Sequence, residues 1–519
     1  MPEYLTPGVY LEEIERGPRP IEAVATSTAA LLGEAERGTI KPRLVTSYKE
    51  YEFWFGGGFD TTRFLPDAVS GFFENGGRRL FVCRLVSDQA TSAQVVFENF
   101  TVCTVGPGSW GRNTWVRIDD SSTHRSDGAG SSVAVGFRMR VAYWSSTPAS
   151  FLPFDPFADG VRLPRPSLTE DFDDLVTDAS SPDFYEKRML DRSALVKLIR
   201  APTALPSERP LNASAALAQH GSNGPAGLHE PDYQGEIIRG TPRDELQGLR
   251  ALELDEYREV ALVYAPGASI AVAKAIVSHC ERLRFRFAVI DCEQGVNDLA
   301  SLDPRTTVAD TQYAAFYYPW LVIRDPQSGE QRTVPPGGHV LGVYARTDIE
   351  RGVLKAPANE VVRGALALEI DVNDGTQAVL NPRGVNVIRR FPSRGIRVWG
   401  ARTLASDALW KYVSVRRLFI FLERSIYEGT QWVVFEPNDS RLWARVVDTI
   451  RLFLRGQWGA GALSGRTEEE AFFVTCNETT MTQDDVLSGR LICEIGIAPV
   501  RPAEFVIFRI LRNTAEAQR

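Results

Sequence analysis

The chain has 519 residues, 44% hydrophobic and 24% charged, with six cysteines and five histidines, which places it among globular rather than disordered chains and, at this length, predicts about two to four domains. No window approaches the roughly 18 apolar residues of a membrane span, and the start, Met1-Pro2-Glu3-Tyr4-Leu5, lacks the basic and apolar regions of a secretory leader, so the expected compartment is the cytoplasm. The net charge of -8 hides an asymmetry: from 381 onward 20 Lys+Arg face 15 Asp+Glu, a net of +5 that leaves -13 for residues 1–380, and 19 of those 20 bases are arginine.

Residues 1–22 carry Pro2, Pro7, Pro18 and Pro20 around a short β-capable stretch at 9–14. Such a segment either lies along its own domain or adds a strand to another sheet edge. From 23 to 105 the texture is α/β: a buried strand at 29–33, helices near 47–54 and 66–75, and a strand at 79–85. Gly56-Gly57-Gly58 has neither the Lys-Ser/Thr of a phosphate loop nor a helix opening after a strand, and reads as a plain loop. A turn at 106–113 leads into strands at 115–118, 133–137 and 138–144, then into Pro-rich and Ser/Ala/Gly-rich stretches, so 106–232 reads as an inserted β-rich domain. The α/β pattern resumes with a helix over 243–254, a strand at 260–265 stopped by Pro266-Gly267, a helix over 269–284 and a strand at 287–291. Two-sided apolar strands joined through a helix predict a parallel sheet, with 23–105 plus 233–345 as one middle domain.

The last third contains two long helices. One spans 407–427, with Arg416 and Arg417 in its middle. The other spans 440–455, placing Leu442, Trp443, Val446, Val447, Ile450, Phe453 and Leu454 on one face and Arg441, Arg445, Asp448, Arg451 and Arg455 on the other, with N-caps at 438–440 and a stop at Gly456. An arginine face is either solvated or docked, and arginine over lysine suits bidentate protein contacts. The interleaved acids and acidic balance argue against nucleic acid. Three strand-like runs close the chain, at 471–475, 491–497 and 505–511, the last apolar on both faces and in need of cover.

Catalytic constellations are missing from the sequence. His124, His220, His229, His279 and His339 form no His-x-x-x-His pair, no Gly-x-Ser-x-Gly elbow occurs, and the acid pairs Asp173-Asp174 and Asp484-Asp485 read as solvated. The cysteines form no Cys-x-x-Cys; the eleven residues between Cys280 and Cys292 fit no common zinc spacing, and both read as core residues at a helix end and in the following strand. We therefore expect no enzyme, metal or cofactor.

Several motifs resemble one family. They are the runs 313–320 (Tyr-Ala-Ala-Phe-Tyr-Tyr-Pro-Trp), 334–340 (Val-Pro-Pro-Gly-Gly-His-Val), 342–348, 351–360, 380–389, 398–404, 435–438 (Phe-Glu-Pro-Asn) and 502–505, preceded by Thr6-Pro7-Gly8-Val9-Tyr10 and the turn 107–111. In this order from residue 6 to 505 they resemble the contractile tail sheath proteins of phage tails and related injection systems. The resemblance implies an α/β (α+β) multidomain fold: a mixed-sheet inner domain built from both chain termini, the α/β middle domain and the inserted β-rich outer domain. It assigns 1–22 and 505–519 as strand-donating arms and 346–504 as the inner domain.

The same resemblance implies a subunit that polymerises helically, in six-fold rings, around an inner tube and contracts from a metastable extended state without nucleotide. Its partners would be further copies, the inner tube protein, baseplate and tail-terminator proteins and sheath paralogues, with no nucleic acid and no membrane insertion. Strand exchange would fall to Thr6, Pro7, Gly8, Val9, Tyr10 and Leu11, and to Phe505, Val506, Ile507, Phe508 and Ile510. Arg416, Arg417, Arg441, Arg445, Arg451 and Arg455 are the candidate tube contacts. Arg346, Asp348, Arg351, Lys355 and Glu360 fit either salt bridges between sheath layers or a network within one domain. A tube, baseplate or capsid protein is the second structural reading, and would not need donated termini.

Overall fold

The computed structural model describes residues 20–126, 131–146, 155–158, 164–205, 207–225, 227–235, 246–325 and 328–507. The chain divides into two compact units: Ala25–Arg417, and a second formed by Met1–Val24 with Leu418–Arg519, of which 20–24 and 418–507 are described.

The larger unit is organised by a nine-stranded sheet. Its six central strands, Val385–Phe391, Ala314–Tyr318, Phe287–Asp291, Leu262–Tyr264, Ala29–Gly33 and Leu80–Arg84, all run parallel. Ala29–Gly33, Leu80–Arg84 and Ala314–Tyr318 are buried at every position, as covered parallel strands require. The edges are antiparallel: Arg43–Val45 at one side, and Gly395–Val398 followed by Glu360–Val361 at the other. The expected strand-helix-strand step is present, with Ile270–Leu283 capped by Ser269 Oγ, which accepts from Val272 N–H (3.4 Å).

Leu65–Glu74 and Gly337–Arg351 lie against one another at glycine contacts. A Cβ on Gly342 would stand 2.4 Å from the Phe72 carbonyl oxygen, and one on Gly338 2.5 Å from the Ala68 backbone. Gly342→Ala is therefore expected to destabilise the larger unit by about 1–3 kcal/mol, because backbone rather than a flexible side chain must move. A urea midpoint unchanged from wild type would refute this.

Two four-stranded antiparallel sheets form the β-rich part. They share a core of residues such as Phe100, Trp110, Ile118, Phe137, Tyr143 and Leu198. These sheets begin upstream of residue 106: Thr91–Phe97 pairs with Phe100–Thr104, which pairs with Val196–Arg200. Of the helix expected over 243–254, only Gly248–Ala251 is helical among the described residues; Gly248 takes a left-handed φ of 61° and cannot extend the turn backwards.

The smaller unit contains both chain ends. Ile21 is buried and Val24 N–H donates to Ser425 Oγ (3.2 Å). Its long helix runs Ser440–Gly459, past the expected stop at Gly456. An internal glycine costs a helix only about 1 kcal/mol, and the buried Phe453 and Leu454 anchor the last turns until Gly461, with φ of 80°, ends the run. The other helix is Val413–Gly429 rather than 407–427; the preceding residues form a turn in which Asp407 Oδ1 accepts from Leu409 N–H (2.8 Å). Phe472–Thr475 and Glu494–Ile497 pair antiparallel, somewhat shorter than the expected runs. Phe505, Val506 and Ile507 belong to no strand and are 71%, 68% and 78% exposed. Thr6 to Leu11, Phe508 and Ile510 lie outside the described residues.

Candidate functional site

The smaller unit carries a two-stranded sheet, Phe472–Thr475 with Glu494–Ile497, and among the described residues neither strand has a second partner. One face is backed by Ser440–Gly459, whose Leu442, Val446 and Ile450 are buried. Asp439 starts that helix: its Oδ1 accepts from Arg441 N–H (3.0 Å) and Leu442 N–H (2.9 Å). Between helix and sheet lies an apolar groove of about 760 Å³, lined by residues including Ile426, Val434, Leu442, Val446, Cys493 and Ile495. Phe435 beside it is fully exposed and holds a left-handed φ of 68°, a conformation that costs a bulky residue about 1–3 kcal/mol. Open backbone donors and acceptors beside an apolar groove form a template for an added strand.

The outer face of Ser440–Gly459 carries exposed arginines. Arg445 pairs with Glu436 (2.9 Å) and stacks on Trp432, while Arg451 and Arg455 both reach Glu468 (2.8 Å each). These pairs hold Glu468 below its ordinary pKa, through the Arg451 hydrogen bond first. Arg441 is exposed as well.

Arg416 and Arg417 stand elsewhere, each 3% exposed in the larger unit. Arg416 donates to Gln312 Oε1 (3.3 Å) and lies over the rings of Tyr313 and Trp410. Arg417 forks onto Asp348 (Nη1 to Oδ1, 3.0 Å), donates to Thr26 O (3.0 Å) and covers Tyr344. Arg346 is also buried, donating to Asn75 O (3.0 Å) and Val361 O (2.7 Å), with Glu360 at 3.9 Å. Lys355 reaches Glu360 at 3.7 Å, and Arg351 is exposed in the last turn of its helix.

At the carboxyl end of Phe287–Asp291, one of the places where an α/β sheet can hold a ligand, the Asp291 side chain fills the N-terminus of Gly337–Arg351. The Asp291 carboxylate accepts from Tyr264 OH (2.6 Å), Gly337 N–H (2.9 Å) and Gly267 N–H (3.3 Å), and Trp320 Nε1 donates to Cys292 O (2.8 Å). An internal carboxylate thus takes the helix N-terminus that an anion would otherwise use. Burial pushes the Asp291 carboxyl up to about 7. The motif residues are similarly spent on structure. The turn at 107–111 supplies Pro107 O to the buried Arg84 (2.8 Å), which also holds Gly38 O (3.0 Å). Asn386 brackets Arg402 through Nδ2 to O (2.8 Å) and Oδ1 from N–H (2.7 Å). Asn438 accepts from Trp443 Nε1 (2.8 Å) and donates to Arg490 O (3.0 Å).

Two family models match this chain, the phage tail sheath protein central domain over 239–404 and the phage tail sheath C-terminal domain over 405–511, together more than half of its length. The chain belongs to the phage tail sheath family. This sheath subunit is 26% identical over 293 residues to a prophage major tail sheath protein of Pseudomonas aeruginosa, covering 54% of this chain and 73% of that one. It is 25% identical over 279 residues to the tail sheath protein of Salmonella phage ViI, covering 47% and 42%. Its fold resembles the helical sheath of the anti-feeding prophage in the contracted state, with a TM-score of 0.58 at 24% identity over 98% of this chain and 99% of that one. The sheath of an extracellular contractile injection system, PVC, in the contracted state gives 0.58 at 22% identity over the whole of both chains.

Sequence reasoning located the arginine helix and both strands of the open sheet. It missed the groove and the burial of Arg416 and Arg417, the latter bonded to Thr26, 391 positions away.

Proposed function

We infer that this sheath subunit polymerises through strand exchange, that the polymer surrounds an inner tube, and that contraction drives that tube through a target envelope using free energy stored in the extended state. The carrying observation is the two-stranded sheet with its apolar groove, open at both edges among the described residues. Arms from neighbouring copies, Thr6 to Leu11 and Phe505 to Ile510, would complete it; the exposed Phe505, Val506 and Ile507 support this. Main-chain ladders resist separation yet let the joined bodies rotate, which suits a lattice that re-packs while staying connected. The expected particle is assembled in the cytoplasm, in six-fold rings capped by baseplate and terminator proteins. The proposed role is mechanical, without catalysis.

Negative-stain electron microscopy of the purified full chain, beside a version lacking 1–22, tests the linkage. Long hollow helical tubes are expected from the full chain and short or absent ones after deletion. Discrete globular particles from both would return the chain to a non-polymerising role.

The tube contact falls on the exposed Arg441, Arg445, Arg451 and Arg455; Arg416 and Arg417 would serve it only indirectly, through the larger unit's packing. Contacts between layers would use Arg351, Lys355 and Glu360, with Arg346 and Asp348 holding their backbone in place. Joint reversal of Arg445 and Arg451 to glutamate is expected to cut tube co-sedimentation at least tenfold, by roughly 1.4 kcal/mol or more of contact energy, while changing stability by under about 1 kcal/mol, since both arginines are exposed. Undiminished co-sedimentation would move the contact elsewhere.

A further inference from the structure

The open sheet continues past its last ladder pair into two cysteines. Its register couples Phe472 with Ile497, Phe473 with Gly496, Val474 with Ile495 and Thr475 with Glu494, so the next pair along is Cys476 opposite Cys493. Seventeen positions separate them in sequence, with no Cys-x-x-Cys spacing to flag them. Pair type alternates along an antiparallel ladder. Ala498 N–H donates to Ala471 O (2.9 Å), which makes 471/498 a hydrogen-bonded pair; five steps on, 476/493 is a non-hydrogen-bonded one. Pairs of that type bring Cα atoms to about 4.5 Å, inside the span of about 4.4–6.8 Å that a disulfide bridges. The two thiols lie near enough to shift one another's ionisation, as side chains facing each other across this register would.

We propose that Cys476 and Cys493 form a disulfide-forming pair, a redox-dependent staple across the open end of the two-stranded sheet. Neither the family assignment nor the arginine helix requires it. The oxidant is a low-molecular-weight disulfide such as oxidised glutathione. Cys493, half-buried and lining the groove, is the more accessible sulfur. Its thiolate attacks one glutathione sulfur, forming a mixed disulfide and releasing one glutathione thiolate, which takes up the proton Cys493 lost. The Cys476 thiolate then attacks the Cys493 sulfur, forming the intrachain bond and releasing the second glutathione, again with the proton. Two thiols are oxidised and one glutathione disulfide is reduced to two glutathiones.

Exposure rather than acidity assigns the first attack to Cys493. The nearness of the two thiols favours the Cys476 thiolate, the resolving nucleophile, and opposes ionisation of Cys493. Burial nevertheless raises Cys476 and pushes Cys493 up to about 12, so exchange with a soluble disulfide is slow at neutral pH. The other four cysteines, Cys83, Cys103, Cys280 and Cys292, are buried and have their thiols raised by burial, which makes them internal controls.

The test equilibrates the purified full chain with mixtures of oxidised and reduced glutathione, quenches with acid, alkylates in denaturant and maps peptides by mass. Alkylatable cysteines should fall from six to four, with a reductant-cleavable peptide joining 476 and 493. Cys476→Ser should leave Cys493 carrying a glutathione adduct that the wild type does not retain. The wild-type result decides alone. Six alkylated cysteines in the most oxidising mixture, a lost pair that maps elsewhere, or a lasting glutathione adduct on wild-type Cys493 would each overturn the proposal.

Discussion

Asp348→Ala is expected to destabilise the larger unit by about 3–5 kcal/mol, the effect of leaving a buried arginine without its counter-ion. Both side chains of the Arg417–Asp348 pair are 3% exposed. Asp348 also accepts from Thr26 Oγ1 (2.6 Å), and Arg417 donates to Thr26 O (3.0 Å), so the pair ties Ala25–Arg417 together near both its ends. Asp348→Asn should cost less, because the amide keeps one acceptor for the guanidinium while losing the charge. Replacing both residues with apolar ones should be milder than either alanine, since no buried charge is then orphaned. The check is chemical denaturation of the full chain, following fluorescence together with a probe placed in the larger unit. An Asp348→Ala transition coincident with wild type would mean that water reaches Arg417 and screens it.

Stability should also depend on pH through Asp291. Burial raises its carboxyl from the ordinary 3.8 to about 7, against the lowering effect of the Tyr264, Gly267 and Gly337 hydrogen bonds. A carboxyl raised on folding keeps its proton after the unfolded chain has lost it. Its contribution is therefore fully present below about pH 4 and is lost as the pH climbs to about 7. The loss amounts to about 4 kcal/mol at about 1.36 kcal/mol per pH decade.

Two buried histidines oppose this slope. Burial lowers His339 from 6.5 to about 4, and burial with the nearby Arg286 lowers His279 to about 3. The stability they contribute is complete above about pH 6.5 and lost as the pH falls through those values. Wild type should therefore show a profile flattened by cancellation. Asp291→Asn should gain on wild type from pH 4 to 8, because the amide still accepts from Gly337 N–H but cannot ionise. Parallel urea midpoints for the two proteins across that range would refute the assignment.

The main architecture was legible because it rests on local patterns. Runs such as 262–264 and 287–291 are apolar on both faces, which only a covered strand satisfies, and the helix between them carries its own cap at Ser269. The amphipathic period of 440–455 fixed its buried face in the same way, with Leu442, Val446, Ile450, Phe453 and Leu454 buried and Trp443 and Val447 half-buried. Helix ends were less legible. Gly456 looked like a stop, but packing of the flanking turns outweighs the cost of one internal glycine.

By itself, the sequence determined the family, through an ordered series of motifs, along with the parallel sheet and the arginine-bearing helix. These follow from residues that are neighbours along the chain or repeat at a fixed period. Only the tertiary structure decided the fates of the charged and sulfur groups. Arg417 resembles Arg451 in sequence, since both are arginines within long helices, yet one is buried on Asp348, 69 positions away, and the other is exposed on Glu468. Cys476 meets Cys493 only through the register of a hairpin. Helical and strand periods encode which face of an element is apolar, whereas the partner of a charge or a thiol depends on which elements come together, and no local period records that.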